Sequence, residues 1–319
     1  MKCSQLISKF MFNNFPYILI IISLLISNNY IVNPDYGTIS IDSEIYEQPF
    51  LAAFNKPKIQ WIDWNQDGNF DLFILDEDGA IRYYERQNNG EFKLLNTNFM
   101  MLNNISWFYI GDFDNDSSYE IMTQDPSNTN QVIYYNNDGL DLNLIGTVYD
   151  TNNNPIESNA VMTPTFIDID NDSDLDFFTG NMVGTISYYE NIGYSSNQIP
   201  EFQLITNFWE DIYIVGSSSQ RHGASAITFI DIDQDGDFDL SWGDYYQQSL
   251  YIIENIGTID GPDMDINNII NQYPPESPII TAGQNMPTFI DIDNDQDQDL
   301  FVTVLSGAYG YQLINNFFY

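Results

Sequence analysis

Five nine-residue acidic windows, recurring along the chain, constrain this sequence more than any other feature. They read DWNQDGNFD at 63–71, DFDNDSSYE at 112–120, DIDNDSDLD at 168–176, DIDQDGDFD at 231–239 and DIDNDQDQD at 291–299. Their starts are separated by 49, 56, 63 and 60 residues, a mean of 57. Self-similarity at such a period indicates a solenoid or a propeller. The flanks repeat with the windows. A β-branched or aromatic run precedes each one (IQWI at 59–62, SWFYIG at 106–111, PTFI at 164–167, ITFI at 227–230, PTFI at 287–290), and a second apolar run follows, such as LFIL at 72–75 or LFVT at 300–303. A turn leads to a third run: AIRYYE at 80–85, QVIYYN at 131–136, TISYYE at 185–190, LYIIE at 250–254 and GYQLIN at 310–315. A fourth often comes next, as EFKLL at 91–95 and EFQLI at 201–205. Short runs of this composition between Gly, Asn and Asp turns are strands, and four per period make a propeller blade.

The expected fold is therefore all-β, a β-propeller. The 286 residues from position 34 onward hold five periods of 57, hence five four-stranded blades. Residues 45–54 are expected to complete the C-terminal blade, because Gln48-Pro49-Phe50-Leu51 parallels Ile199-Pro200-Glu201-Phe202, and a closed ring leaves no open edge.

Within a window, acidic side chains at positions 1, 3, 5 and 9 around a turn at position 6 converge on one point if the loop wraps back. Position 7 can add a backbone carbonyl. Several hard oxygen donors in flexible geometry suit Ca²⁺ better than Mg²⁺, which demands a tight octahedron. Without a cation such a loop is costly, since two carboxylates about 4 Å apart repel by roughly 4 kcal/mol at an effective dielectric of 20. These are not EF-hand loops. The twelfth position, where an EF-hand places a bidentate Glu, holds Ile74, Thr179, Trp242 and Val302 in windows 1, 3, 4 and 5, all inside strand-like runs. The candidate ligands are Asp63, Asn65, Asp67 and Asp71; Asp112, Asp114, Asp116 and Glu120; Asp168, Asp170, Asp172 and Asp176; Asp231, Asp233, Asp235 and Asp239; and Asp291, Asp293, Asp295 and Asp299. Up to five ions are expected, which would bring the formal charge from −38 to −28.

PTFIDIDNDSDLDFF at 164–178 with ISYYENIG at 186–193, and FIDIDQDGDFDL at 229–240 with IIENIG at 252–257, resemble the FG-GAP/VCBS repeats of integrin-α-type β-propellers. The resemblance covers roughly 45–319. It implies a propeller with Ca²⁺ loops on one face, working in extracellular adhesion or ligand recognition. Asn65 and Glu120 depart from the pattern, as do Ser117, Ser173 and Gln296 where Gly68 and Gly236 mark the turn. Window 1 is expected to bind more weakly, the longer arm of Glu120 to fit its loop poorly, and the three non-glycine residues to accept a strained backbone or a different turn.

Eight basic residues against 46 acidic ones argue against nucleic acid or an anionic membrane surface as partner. The apolar run FPYILIIISLLI at 15–26, behind Lys2 and Lys9, reads as a signal peptide or a signal-anchor within 1–33, ahead of a propeller domain at 34–319. Either places that domain outside the cytosol, secreted or at the cell surface, where the lone Cys3 leaves it no disulfide. The expected role is non-catalytic recognition of an extracellular protein or glycan. The alternative is a lectin or glycan-active enzyme on the same propeller, with Trp209, Trp242, Tyr245 and Tyr246 as sugar-stacking candidates and His222 as the one histidine. Insertions at 140–160, 206–226 and 258–286 are the favoured places for a partner site, since loops between scaffold elements commonly carry recognition. Of three N-x-S/T sequons, only Asn104 lies outside an ion loop.

Overall fold

The computed structural model describes residues 33, 35–46, 48, 54–137, 142–159, 162–213, 226–305 and 317–318. The chain divides into two compact units, 1–51 and 52–319. In the first, β1 (Ile39–Ile41) and β2 (Glu44–Tyr46) form an antiparallel hairpin. Its strands pair Ile39 with Tyr46 and Ser40 with Ile45, so the first two residues of the expected closing segment are engaged in this hairpin. Of the rest of that segment, 47 and 49–53 lie outside the described residues, as does the apolar run at 15–26.

Among its described residues the second unit holds five antiparallel sheets in chain order, as expected of a propeller. The first is β3 (Lys58–Ile62), β4 (Asp71–Leu75), β5 (Ile81–Arg86) and β6 (Phe92–Asn96). The second is β7 (Phe108–Gly111), β8 (Glu120–Asp125), β9 (Asn128–Asn137) and β10 (Leu142–Thr147). The third is β11 (Thr165–Ile167), β12 (Asp176–Gly180), β13 (Ile186–Tyr194) and β14 (Pro200–Thr206). The fourth has three strands, β15 (Ala226–Ile230), β16 (Asp239–Gly243) and β17 (Tyr251–Ile253). Beside β17, bridges Asn255–Met264 and Ile252–Ile270 lay residues 264–270 where a fourth strand would run. The fifth is β18 (Asn285–Ile290), β19 (Asp299–Val304) and β20 (Phe317–Phe318). The strand expected at 310–315 lies outside the described residues, and β20 pairs with β19 as the third strand. Among the described residues no helix is long and apolar enough to cross a membrane.

Second strands are covered on both faces, so that even their polar residues, such as Thr123 and Ser241, are buried. All five residues of β12 and all five of β16 are buried. Between sheets, the core is largely aromatic. Phe113 and Tyr134 of the second sheet pack with Phe166, Phe177 and Phe202 of the third. Phe178 of the third meets Trp209 and Phe229, with ring centroids 5.1 and 4.8 Å apart. The fourth and fifth sheets approach so closely at Gly243 that a Cβ there would lie 1.8 Å from the Asn285 carbonyl oxygen. The ring is completed by Trp61 of the first sheet, which packs on Ile290, Ile292 and Phe301 of the fifth, 4.8 Å from the Phe301 ring.

Candidate functional site

Each acidic window is the connection between the first and second strands of its sheet. The registers pair the residue before the window with the window's last residue: Ile62 with Asp71, Gly111 with Glu120, Ile167 with Asp176, Ile230 with Asp239 and Ile290 with Asp299. All five loops therefore lie at the same end of their sheets. Position 2 is apolar in every window, and it fixes the loop to the core. Phe113, Ile169 and Ile292 are buried between sheets, and Trp64 packs against the cluster joining the first and second.

The loops share one wrap. In all five, Oδ1 of the first Asp accepts the fifth residue's N–H at 3.0–3.1 Å. Its Oδ2 accepts the sixth residue's N–H at 2.9–3.1 Å. Position 6 has positive φ in every loop, at Gly68 and Gly236 and equally at Ser117 (71°), Ser173 (78°) and Gln296 (80°). The strained backbone expected of those three is present. Position 4 is also left-handed, at Gln66, Asn115, Asn171, Gln234 and Asn294, with φ between 57° and 63°. These positions carry a second role that the sequence reading missed. The Gln66 side-chain amide donates to the Ser117 carbonyl (2.7 Å), and that of Asn115 to the Ser173 carbonyl (3.0 Å). The Asn171 amide reaches Asp260 Oδ1 (3.1 Å) in the 258–286 insertion. The first loop is thus stitched to the second and the second to the third. The signal was available, because all five windows have Asn or Gln there.

Four windows gather three carboxylates whose ligand oxygens lie within 4.8 Å of one another: Asp112, Asp114 and Glu120; Asp168, Asp170 and Asp172; Asp231, Asp233 and Asp239; Asp291, Asp293 and Asp295. Glu120 joins its group while accepting the Phe113 N–H at 3.0 Å, so its longer arm fits the loop. The remaining candidates in these windows are split by depth. Asp116 and Asp235 are exposed, Asp176 is fully buried and Asp299 half-buried. The first window has no such group among the described residues. There Asn65 donates to Asp67 (3.2 Å), and the buried Asp71 is satisfied by the Tyr83 hydroxyl (3.0 Å) and the Arg86 amide (2.9 Å), with Asp63 engaged in the loop's own amides.

These residues fit a cation. Oδ1 of Asp114 and Oδ1 of Asp170 are buried with no hydrogen-bond partner, as are Oδ1 of Asp174 and of Asp237 at position 7. Buried acceptors are almost always satisfied, and these sit among like charges. Burial, and then the neighbouring carboxylates, push the Asp174 carboxyl up to about 7 and raise Asp114, Asp170 and Asp237. Burial pushes Asp176 up to about 8, Glu120 to about 7 and Asp239 to about 6, against the hydrogen bonds they accept. Asp67 and Asp116 behave oppositely: hydrogen bonds from Asn69 and Ser118 hold them below the usual range.

The sugar-stacking expectation is corrected for both tryptophans. Trp242 is completely buried and Trp209 only 4% exposed, both in the core between the third and fourth sheets. Tyr245 and Tyr246 are half-buried, with ring centroids 5.1 Å apart. His222 lies outside the described residues, and Asn104 is exposed. Two clefts are lined by the insertions. One, of about 540 Å³, joins Phe208, Glu210 and Asp211 to 263–267. The other, of about 420 Å³, lies between the second and third sheets.

Sheets in a ring, each with a carboxylate-rich loop between its first two strands, define a repeat-built β-propeller. Residues 63–123, from the first window into β8, match the FG-GAP-like repeat family. The chain therefore carries an FG-GAP-like repeat, as its recurring motifs implied. Among solved structures it is similar to an Agrocybe aegerita lectin that specifically recognises non-reducing terminal N-acetylglucosamine. That match has 13% identity and a TM-score of 0.42, covering 77% of this chain and 60% of the lectin. It is also similar to a putative oxidoreductase (glucose dehydrogenase) of Thermus thermophilus, with 10% identity and a TM-score of 0.40, covering 84% of this chain and 96% of the other. No curated protein sequence matches the chain.

Proposed function

We propose that this chain is an exported, calcium-stabilised propeller that recognises an extracellular protein or glycan without catalysing a reaction. The observation that carries the calcium reading is the pair of buried, unpartnered oxygens of Asp114 and Asp170, each inside a three-carboxylate group. The donors are all oxygens, some deep and some solvent-facing, which suits an ion that takes six to eight ligands and tolerates irregular geometry. Each ion would draw the buried second-strand residue and the loop tip together, stiffening the connection. Export is supported by the apolar run at 15–26 behind two lysines and by a chain with no cysteine after Cys3. A recognition role is supported by the insertions, which line the two clefts while the acidic loops serve the scaffold. Twenty-two of the 46 acidic residues fall in the windows, which ties up many of the carboxylates a glycosidase would pair.

Isothermal titration of chelator-stripped protein with CaCl₂ tests the ion reading, and four or five saturable sites are expected. A flat titration rejects it. Binding of the calcium-loaded protein to immobilised extracellular glycoproteins, lost in chelator, tests the recognition reading. Turnover of a glycoside substrate would replace it with the enzyme.

A further inference from the structure

The 420 Å³ cleft between the second and third sheets has a chemistry unlike the acidic loops. It lies at the end of the sheets where second strands turn into third strands, opposite the windows. One wall comes from the β12–β13 turn, with Asn181, Met182, Val183 and Thr185, and from Asn207 after β14. The other comes from Asn130 on β9 and from Glu157 and Asn159 of the 140–160 insertion. A hydrogen bond between the Ser158 and Thr179 hydroxyls (2.8 Å) ties the two walls together at the floor.

Several polar groups here are held in place by neighbours. The Asn181 side-chain nitrogen donates to Thr185 Oγ1 and to Ser187 Oγ, both at 3.0 Å. Ser187 Oγ in turn donates to Asn207 Oδ1 at 2.8 Å. That network commits one end of each amide and leaves Asn181 Oδ1 as an acceptor and Asn207 Nδ2 as a donor. An acceptor on one held amide and a donor on another, both lining one cleft, can serve the hydroxyls of a single sugar. The backbone along the walls is already paired: Ser158 N–H with the Asn130 carbonyl, Val132 N–H with the Ile156 carbonyl, Asn181 N–H with the Thr185 carbonyl. Among the described residues, no open strand edge remains there for an extended peptide to pair with. The described lining has no cation to meet an anionic ligand and no aromatic ring to stack a base, and its one charge is the Glu157 carboxylate. At the rim, Met182 is 60% and Val183 45% exposed, giving an apolar surface for the C–H face of a ring.

We propose that this cleft binds a neutral pyranose residue of a glycan, with Asn181 and Asn207 reading its hydroxyls and Met182 contacting the ring face. The proposal rests on the recognition reading above and names its ligand class. The test is a glycan array probed with the calcium-loaded full chain, followed by calorimetry on the neutral monosaccharide that the best-bound glycans share. Met182→Ala, at an exposed side chain, is expected to weaken binding about tenfold with the melting temperature unchanged; Asn207→Ala is expected to weaken it as much, with a small fall in melting temperature because the buried Ser187 hydroxyl loses its acceptor. Asn181→Ala is expected to abolish it. Should Asn181→Ala fail to fold, the other two variants decide. Neutral-glycan binding that survives Asn207→Ala and Met182→Ala overturns the cleft assignment and leaves the recognition reading intact. A silent array also overturns it. If the same protein still shows calcium-dependent adhesion to extracellular proteins, the wider reading stands; if that is absent too, both fall. Preference for sialylated or sulfated glycans over neutral ones overturns the chemistry inferred from the lining.

Discussion

Removing calcium from the windows should destabilise the propeller by an amount the geometry sets. Within each of the four groups, three carboxylates have ligand oxygens within 4.8 Å of one another. At an effective dielectric of 20, one such ionised pair at that separation repels by about 3.5 kcal/mol. The empty loops relieve part of this by holding protons, so the full repulsion is never expressed. The bound state is easier to bound from below: a site held at 100 times its dissociation constant adds about 2.7 kcal/mol. Four independent sites would add about 11 kcal/mol on that basis. At about 2 °C per kcal/mol for a chain of this size, the melting temperature should differ by about 20 °C between saturating CaCl₂ and excess chelator. The assay is scanning calorimetry at pH 7.5 in both conditions, with NaCl and MgCl₂ controls at matched ionic strength. NaCl or MgCl₂ reproducing the whole shift would reduce the effect to charge screening. Superimposable curves would refute the reasoning outright, because the unpartnered oxygens of Asp114 and Asp170 would then need some other account.

Acidity should act in opposite senses on the two forms. Asp176, Glu120, Asp174 and Asp239 titrate at about 8, 7, 7 and 6 in the calcium-free fold, against roughly 4 in an unfolded chain. Between those limits the folded state carries more protons, so stability falls as pH rises. Calcium-free protein should therefore melt higher at pH 5 than at pH 8, and the gap between calcium and chelator curves should widen from pH 5 to pH 8. A gap that narrows would contradict the buried-carboxylate argument. Gln296→Gly should raise stability by about 0.5–1 kcal/mol, since φ of 80° is costly for a side chain and free for glycine; urea denaturation reads the shift. Asn115→Ala removes the bond to the Ser173 carbonyl and should cost about 1 kcal/mol in the same assay, while weakening calcium binding in the second window more than in the fifth. Trp242→Ala should cost about 3–5 kcal/mol as a core cavity, visible as lowered stability rather than as selective loss of glycan binding.

Most of the scaffold was legible because a repeat supplies its own alignment. PTFI before a window and LFVT after it acquire meaning only when the same pair recurs around each acidic run, and the structure places those pairs as first and second strands. The shared wrap of the acidic loops was legible for the same reason, down to the left-handed backbone at Ser117, Ser173 and Gln296. Three things were not, or not fully. Trp209 and Trp242 looked like sugar platforms because an aromatic side chain reads the same in a core and in a cleft, and only the neighbouring sheet decides which it joins. Position 4 looked like turn filler because its partner lies one repeat away, at Ser117 or Ser173, a distance no single window encodes. The cleft at Asn181 and Asn207 was legible only as two insertions, 140–160 and 206–226, because the β12–β13 turn that joins them into one site carries no repeat signal.

That contrast bears on how the molecule divides its work. Where the five windows agree, the shared residues serve the ring itself: position 1 caps the loop's own amides, position 2 enters the core between sheets, and position 4 in the first two windows reaches the next loop. Where the repeats disagree, surfaces form that have no counterpart elsewhere in the ring. Asn171 shows the boundary between the two regimes. Its amide occupies the place where Gln66 and Asn115 meet the next window, yet it bonds instead to Asp260 of the longest insertion. The insertion has taken over the tie that the fourth window would otherwise have received. Calcium binding in the second and third windows should therefore be coupled, loop to loop, while any coupling beyond the third would pass through the segment that also borders the larger cleft. An insertion tied to an acidic loop would give an ion bound there a physical link to the cleft that the insertion borders.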